Sequence, residues 1–193
     1  GNNELIIKEL ICYKLYEAVS DRYFKTQLLN LKYEEIRKKK MVTNDFYAFF
    51  IQDDEEVAKR LNAKVISNNV PTLALNDTIA TLNDFFQFMI ANVDYSLGSQ
   101  HNTKLFFNMN STHFPIVYDF DMAGVVNPPY WTVPSRNGQP VTSGTATDRL
   151  FLGYCRSDQV YEWVRNHFIQ RVLVINTVFV LKKVNKAGTL TFS

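Results

Sequence analysis

Segments of helical and of strand periodicity alternate along this chain, and that alternation most constrains its fold. Apolar side chains recur every three or four positions in residues 4–19, which predicts a helix of about four turns. Residues 26–33 and 46–52 alternate or are rich in aromatics, as strands are. Residues 73–92 carry a wide apolar face and predict a long helix central to the core. The mixed order predicts an α+β fold.

Residues 34–45 separate the first two predicted strands and contain the basic run Arg37-Lys38-Lys39-Lys40. Four basic residues without interleaved aromatics favour a solvated hairpin loop over a binding patch. The acidic run at 53–56 predicts the first turn of a short helix over 57–61, because carboxylates complement the helix dipole there.

The second half of the chain is predicted to contain two short strands, an irregular stretch and a helical end. The strands are residues 104–109 and 115–120, and the irregular stretch is 123–144, which is rich in Pro and Gly. Residues 158–183 predict one or two helices. The β-branched run at 172–180 leaves a strand as the alternative.

Length and composition exclude several classes of protein. With 193 residues, 46% hydrophobic and 21% charged, the chain has the size and balance of one globular domain. A net charge of +2 gives no strong preference for nucleic acid or an anionic membrane. Cys12 and Cys155 form no metal or redox motif, and the apolar run at 172–181 is too short to span a bilayer. The N-terminus lacks the basic region of a signal peptide, which leaves the compartment open.

Two polar clusters carry the chemistry. The first is Asn92-Val93-Asp94-Tyr95-Ser96 with His101-Asn102, and the second is Tyr118-Asp119-Phe120-Asp121 at a predicted strand end. Carboxylate and amide oxygens from two loops are what a magnesium–nucleotide site needs. Asp119 and Asp121 alternate along the predicted strand, so only one would face the site, and Asp119 is our prediction for the metal.

The second cluster resembles the Asp-Phe-Gly motif of protein kinases, and the loop before it resembles the kinase catalytic loop. More narrowly, the chain is similar to atypical kinase-like proteins of the spore-coat kinase (CotH) and HipA-like groups. The stretches that carry this resemblance span roughly residues 4–125 and are Lys8-Glu9-Leu10, Tyr13-Lys14-Leu15-Tyr16, Tyr47-Ala48-Phe49-Phe50-Ile51, the two polar clusters and Thr103-Lys104-Leu105.

The resemblance implies a single kinase-like domain over residues 1–193. Residues 1–52 would be a partial small lobe with one helix and two strands. Residues 53–193 would be the large lobe, mainly helical with short β-hairpins. The implied activity is ATP- and Mg²⁺-dependent phosphoryl transfer, with a nucleotide and a protein hydroxyl as partners, and with no nucleic acid and no membrane span.

The same resemblance assigns roles to individual residues. Asp94 would be the catalytic base that orients or deprotonates the acceptor hydroxyl. The nucleotide would be bound with the help of Glu9, through a lysine partner, and of Ile51 and Gln52 at the hinge beside the adenine. The metal would be held by Asn102 and Asp119, with support from Asp121.

The sequence also departs from the kinase pattern. No Gly-rich loop or strand lysine precedes Glu9, and seven residues separate Asp94 from Asn102 where kinases have four. A catalytically inactive kinase-like binding or structural domain, or a fragment of a longer kinase, is therefore the alternative, and a hydrolase using the carboxylates is a weaker third. Asp94 also has a purely structural interpretation, as a turn residue that bonds local amides.

Overall fold

The computed structural model describes residues 2–37, 39–110, 112–136, 139–141 and 144–184. Within them the fold is α+β, with five α-helices and small antiparallel sheets. The helices are α1 (Asn2–Val19), α2 (Asp54–Arg60), α3 (Asp77–Met89), α4 (Asp158–Gln170) and α5 (Val172–Val184). The strands are β1 (Thr26–Arg37), β2 (Lys40–Ile51), β3 (Ala63–Ile66), β4 (Thr103–Asn108), β5 (His113–Val117), β6 (Ser135–Arg136) and β7 (Gln139–Pro140).

Helix α1 is the centre of the core, and its predicted helical periodicity is confirmed. Its C-terminal half is buried on nearly every side because the β1–β2 hairpin, α5 and the segment after β5 all contact it. Side chains buried at this half of α1 are Leu10, Ile11, Cys12, Tyr13, Leu15, Tyr16 and Val19.

Helix α3 supplies the second layer of the core. Asn76 caps it by accepting a hydrogen bond from the Ile79 amide, so the helix proper begins at Asp77 and not at residue 73 as predicted. Residues Thr72–Ala74 form a separate 3₁₀ turn. The buried Asn83 donates to the carbonyl of Pro115, which fixes α3 against β5 and the loops that follow these elements.

The central sheet has the strand order β3-β4-β5, with antiparallel neighbours. The sequence analysis missed β3, whose four residues are too few to show a period. The predicted strand over 115–120 is also wrong in its bounds. Strand β5 ends at Val117, so Asp119 and Asp121 lie on a loop and do not alternate along a strand.

Strands β1 and β2 form a hairpin much longer than the sequence predicted. Residues 34–37 and 40–45 continue the two strands, with Glu34 opposite Thr43 and Ile36 opposite Met41. The predicted loop over 34–45 is therefore wrong, because cross-strand pairing extends to a tight turn where Lys39 has a φ of 64°.

The C-terminal prediction of helices is confirmed for the described residues, since α4 and α5 cover Asp158–Gln170 and Val172–Val184. The strand alternative for 172–180 is excluded, since packing of α5 against α1 outweighs the β-propensity of its branched residues. None of the helices in the described ranges combines the length and apolarity that a bilayer crossing requires.

Candidate functional site

The loop that follows α3, residues 92–102, is called the Asp94 loop below. Its start is fixed by Asn92, a fully buried residue whose side-chain oxygen accepts a hydrogen bond from the Asp94 amide at 3.0 Å. Its end returns to its start, because Ser96 and His101 exchange two backbone hydrogen bonds of 2.9 and 3.2 Å. This closure is how seven intervening residues still bring Asn102 next to Asp94.

Both carboxylate oxygens of Asp94 receive hydrogen bonds. His101 Nε2 lies 2.8 Å from Asp94 Oδ1, and it is the donor because an ionised carboxylate can only accept. Asn102 Nδ2 donates to Asp94 Oδ2 at 3.2 Å and to the Asp94 carbonyl at 2.8 Å. Asp94 is therefore held in one orientation by two neighbours from the far end of its own loop. These bonds lie within one loop, as expected if Asp94 is a turn residue that bonds local amides.

Asp119 lies on the opposite loop, directly after β5. Its backbone is in the left-handed region with a φ of 58°, and Asn102 likewise has a φ of 49°. The conformation of Asp119 is imposed by its neighbours: its amide donates to the Tyr13 hydroxyl at 2.8 Å, and the Tyr118 amide donates to the Asn102 carbonyl at 3.1 Å. Unfavourable backbone held by surrounding structure is typical of functional sites.

Phe120 anchors the Asp119 loop in the core. Its ring is fully buried and meets Tyr13, Tyr16 and Phe86 with centroid distances of 4.7, 6.2 and 5.6 Å. Edge-to-face contacts of this kind add to the burial of a large apolar side chain. The anchor ties the position of Asp119 to both α1 and α3.

Three carboxylates, Glu9, Asp119 and Asp121, form what we call the carboxylate cluster. The pKa of Glu9 is raised from its ordinary value of 4.5 to about 7, first by burial and then by the charges of Asp119 and Asp121, against a hydrogen bond from the Phe120 amide that lowers it. Desolvation also raises the pKa of Asp119, followed by the charges of Asp121 and Asp94, while His101 opposes the rise. The cluster and Asp94 are thus close enough to interact electrostatically.

No lysine or arginine of the described residues forms an ion pair with the carboxylate cluster. The nearby Lys8 is paired with Glu4 at 2.9 Å and reaches the Val126 carbonyl, so it does not neutralise Glu9. Tyr130 donates a hydrogen bond of 3.3 Å to Asp121. Within the described ranges, no three His, Cys, Asp or Glu side chains converge closely enough to bind a metal ion unaided.

The segment after Phe120 is held against the end of α3. The amides of Gly124 and Val125 donate to the carbonyls of Ala91 and Ile90 at 2.9 and 3.1 Å. A Cβ on Gly124 would lie 2.3 Å from the Ala146 carbonyl, so only glycine allows this approach. This contact fixes the spacing between the Asp119 loop and the start of the Asp94 loop.

A cavity of about 240 Å³ opens beside Asp94 and His101, and Ser96, Ser99 and Ser135 also line it. A wider cavity of about 610 Å³ shares Ser96 and Ser99 with it and continues toward more apolar residues, Val70, Pro71, Leu73 and Tyr154. The two cavities lie on either side of Ser96 and Ser99, and the smaller one is lined by Asp94.

The structure brings together five of the seven predicted site residues: Glu9, Asp94, Asn102, Asp119 and Asp121. Ile51 and Gln52 lie at the base of the hairpin instead, and no hydrogen bond or ring contact in the described ranges joins them to Asp119. The Gln52 side chain is engaged there, accepting from the Lys25 amide and from Arg60.

Three residues of the site were given no role in the sequence analysis: Tyr13, Asn92 and Tyr130. Tyr13 lies one helical turn after Glu9, so the two share a face of α1, and that spacing could have indicated it. Asn92 precedes Asp94 by two positions, as in an Asx-turn. Tyr130 meets Asp121 through an irregular stretch, for which the sequence holds no signal.

Comparison of this chain with family models, with curated proteins and with solved structures finds no match.

Proposed function

We propose that this chain is an atypical kinase-like phosphotransferase, which binds ATP with Mg²⁺ and transfers a phosphoryl group to a protein hydroxyl. The observation that carries the proposal is that Asn102 is hydrogen-bonded to Asp94 and that Asp119, from a separate loop, lies close enough to be affected by the charge of Asp94. A base, an amide oxygen and a carboxylate in this order are the parts that phosphoryl transfer uses.

The side-chain oxygens of Asn102, Asp119 and Asp121 are of the kind that Mg²⁺ binds. Magnesium prefers oxygen ligands, keeps several waters and is commonly bound by one or two carboxylates together with phosphate. Asn102 uses its amide nitrogen on Asp94, which leaves its side-chain oxygen as the group able to bind a cation. Burial, and after it the neighbouring carboxylates, raise the pKa values of Glu9 and Asp119. No lysine or arginine of the described residues pairs with these carboxylates, and a divalent cation would offset their charge.

The order of elements supports the kinase-like scaffold. Helix α1 places Glu9 beside the Asp119 loop, where the Phe120 amide bonds to it. The hairpin β1–β2 and helices α2 and α3 follow, then the Asp94 loop, then β4 and β5, which deliver Asp119. This is the succession that the resemblance implied. In this proposal the hinge residues Ile51 and Gln52 would act through the backbone, since the Gln52 side chain is engaged.

Each residue then has a distinct task. Asp94, fixed by His101 and Asn102, would accept the proton of a hydroxyl that enters the cavity beside it. Asn102 and Asp119 would hold the metal, with Asp121 in support. When bound, the metal ion supplies charge neutralisation for the phosphates. The two neighbouring cavities at Ser96 and Ser99 would accommodate an acceptor carried on a polypeptide.

The test is calorimetric titration of ATP, with and without Mg²⁺, into the wild-type chain and into Asp119→Ala. We expect Mg²⁺-dependent binding that falls at least about tenfold in the variant, because a first ligand of the metal is lost. Asp45→Ala, at an exposed carboxylate on β2, is the matched control and should bind as the wild type does. Unchanged affinity in Asp119→Ala would make the metal assignment wrong.

A second titration series separates binding from catalysis. Asp94→Asn should keep ATP affinity but abolish transfer to a degenerate Ser- and Thr-containing peptide library, since only the base is removed. The inactive kinase-like domain is the second candidate, favoured by the lack of a described lysine partner for Glu9. Nucleotide binding without transfer in the wild type would favour that candidate, and no binding at all would refute the proposal.

A further inference from the structure

The far end of the β1–β2 hairpin, which we call the hairpin tip, exposes apolar and basic side chains together. Ile36 and Met41 face each other across the two strands and are 80% and 70% exposed. Lys39 lies in the turn and Lys40 directly follows it, and both are exposed. Exposed apolar side chains that lie next to each other on a projecting feature are typical of an interaction site.

The hairpin tip stands away from the rest of the molecule. The Tyr47 amide donates to Asn3, at the first turn of α1, and Phe49 packs on Tyr13 further down the strand. Beyond Tyr47, residues 40–46 of β2 extend roughly 20 Å at the usual strand rise. The side chains of this stretch are exposed, apart from a half-buried Val42. An extended surface can therefore approach the tip without meeting the body of the protein.

The charge at the tip is locally positive, although the net charge of the chain is only +2. Lys39 and Lys40 form no ion pair with a described residue, whereas the acidic Glu34 is paired with Lys32 at 3.2 Å. Strand alternation places Glu34 on the face of Ile36 and Met41, and Glu35 with Lys40 on the other face. The positive character of the tip is therefore a property of the whole turn, since residues 34–40 hold four basic and two acidic residues. The whole-chain balance, from which we expected no preference for an anionic surface, conceals this local excess.

We propose that the hairpin tip docks on an anionic lipid surface, with Ile36 and Met41 inserting into the interface and the lysines contacting the headgroups. Interfacial anchors combine an apolar group that enters the acyl boundary with basic residues that meet anionic lipid. A nucleic acid fits less well, because Ile and Met offer no ring on which a base could stack. A second copy of the chain fits less well too, since two tips would bring their lysines together.

The test is co-sedimentation of the full chain with phosphatidylglycerol-containing phosphatidylcholine vesicles and with pure phosphatidylcholine vesicles. We expect binding to the anionic vesicles that weakens as salt is raised. In Lys39→Gln/Lys40→Gln the vesicle affinity should fall about fivefold for each lysine neutralised. In Ile36→Ser/Met41→Ser it should fall about tenfold or more, because the inserted apolar area is lost.

Matched controls use the same substitutions elsewhere on the surface. Lys59→Gln/Lys64→Gln neutralises two exposed lysines, and Leu73→Ser/Met109→Ser replaces two exposed apolar side chains. Both should leave vesicle affinity within about twofold of wild type, since surface changes away from the contact have small effects. All four sites are exposed, so the variants should fold, which circular dichroism checks.

Several results would overturn the proposal. These are equal binding to both vesicle types, no vesicle binding, or an equal loss in the tip and control variants. Binding of a single-stranded RNA in place of vesicles, lost in the lysine variant, would assign the tip to nucleic acid. A dimer in light scattering that Ile36→Ser/Met41→Ser dissociates, without vesicle binding, would assign it to a second copy.

Discussion

Asp94 and the carboxylate cluster are close enough to interact electrostatically but are stabilised differently. Asp94 receives hydrogen bonds on both oxygens, from His101 and from Asn102. Glu9 and Asp119 instead repel each other and Asp121, with the Phe120 amide as the donor that favours ionised Glu9. The comparison shows that the fold supplies hydrogen-bond donors to both oxygens of Asp94. It leaves the negative charge of the carboxylate cluster without a described lysine or arginine partner. The proposed base and the proposed cation site would need these two different environments.

The largest expected effect is a loss of stability on substitution of Phe120, the residue that anchors the Asp119 loop in the core. Phe120→Ala removes a fully buried ring that touches α1 and α3, and it should lower the free energy of unfolding by about 3–5 kcal/mol. Urea unfolding measures the change. Phe50→Ala, at an exposed ring on β2, is the control and should cost less than about 1 kcal/mol. Equal losses in both variants would mean that Phe120 is not the anchor.

The next largest effect is a pH dependence of stability that arises from Glu9 in the carboxylate cluster. Because the pKa of Glu9 is raised to about 7, the folded state binds more protons than the unfolded chain between pH 4.5 and 7. The free energy of unfolding therefore falls as pH rises through this window, and Glu9→Gln should be more stable than wild type by about 2 kcal/mol at pH 8. At pH 4 the two proteins should be about equally stable.

Urea unfolding of wild type and Glu9→Gln across this pH range measures the difference. Glu162→Gln, at an exposed glutamate on α4, supplies the control and should differ from wild type by less than about 0.5 kcal/mol. Glu9→Gln that is less stable than wild type at pH 8 would indicate a cationic partner for Glu9, and the charged half of the comparison would then be wrong.

A smaller effect is expected at the hydrogen bond that positions Asp119. Tyr13→Phe leaves the Asp119 amide without its acceptor, which should cost about 1–2 kcal/mol of unfolding free energy. Tyr33→Phe, at an exposed tyrosine on β1, should be neutral. Amide hydrogen exchange at Asp119 should accelerate in Tyr13→Phe, and unchanged exchange there would show that the bond does not hold the loop.

The smallest effect on stability is expected at Asp94, whose two carboxylate oxygens both accept hydrogen bonds. His101→Leu removes one of the donors to Asp94 at an exposed position, so the free energy of unfolding should fall by less than about 1 kcal/mol. His101→Gln, which retains a donor, should lie between His101→Leu and wild type. If the proposed transfer is observed, kcat should follow the same order while KM for ATP stays constant, and a change in KM alone would contradict a role through Asp94.

Much of the fold could be predicted from local sequence, and its failures have identifiable causes. The periodicity of α1 and the cap chemistry of α2, where Asp53 accepts from the Glu55 amide, are local properties and were predicted. The hairpin was predicted too short because its outer half is polar, and cross-strand pairing rather than apolar alternation maintains it. Strand β3 was missed because its neighbour β4 comes from a distant part of the chain.

The amino-acid sequence determined the α+β class and the polar residues that the site contains, since both depend on residue type and local spacing. The tertiary structure decided which of those residues meet. The paired backbone of Ser96 and His101 folds Asn102 back onto Asp94, and the buried Phe120 holds Asp119 beside Glu9. The raised pKa of Glu9 also arises only there, because desolvation and like charges depend on neighbours that lie more than a hundred residues apart in sequence.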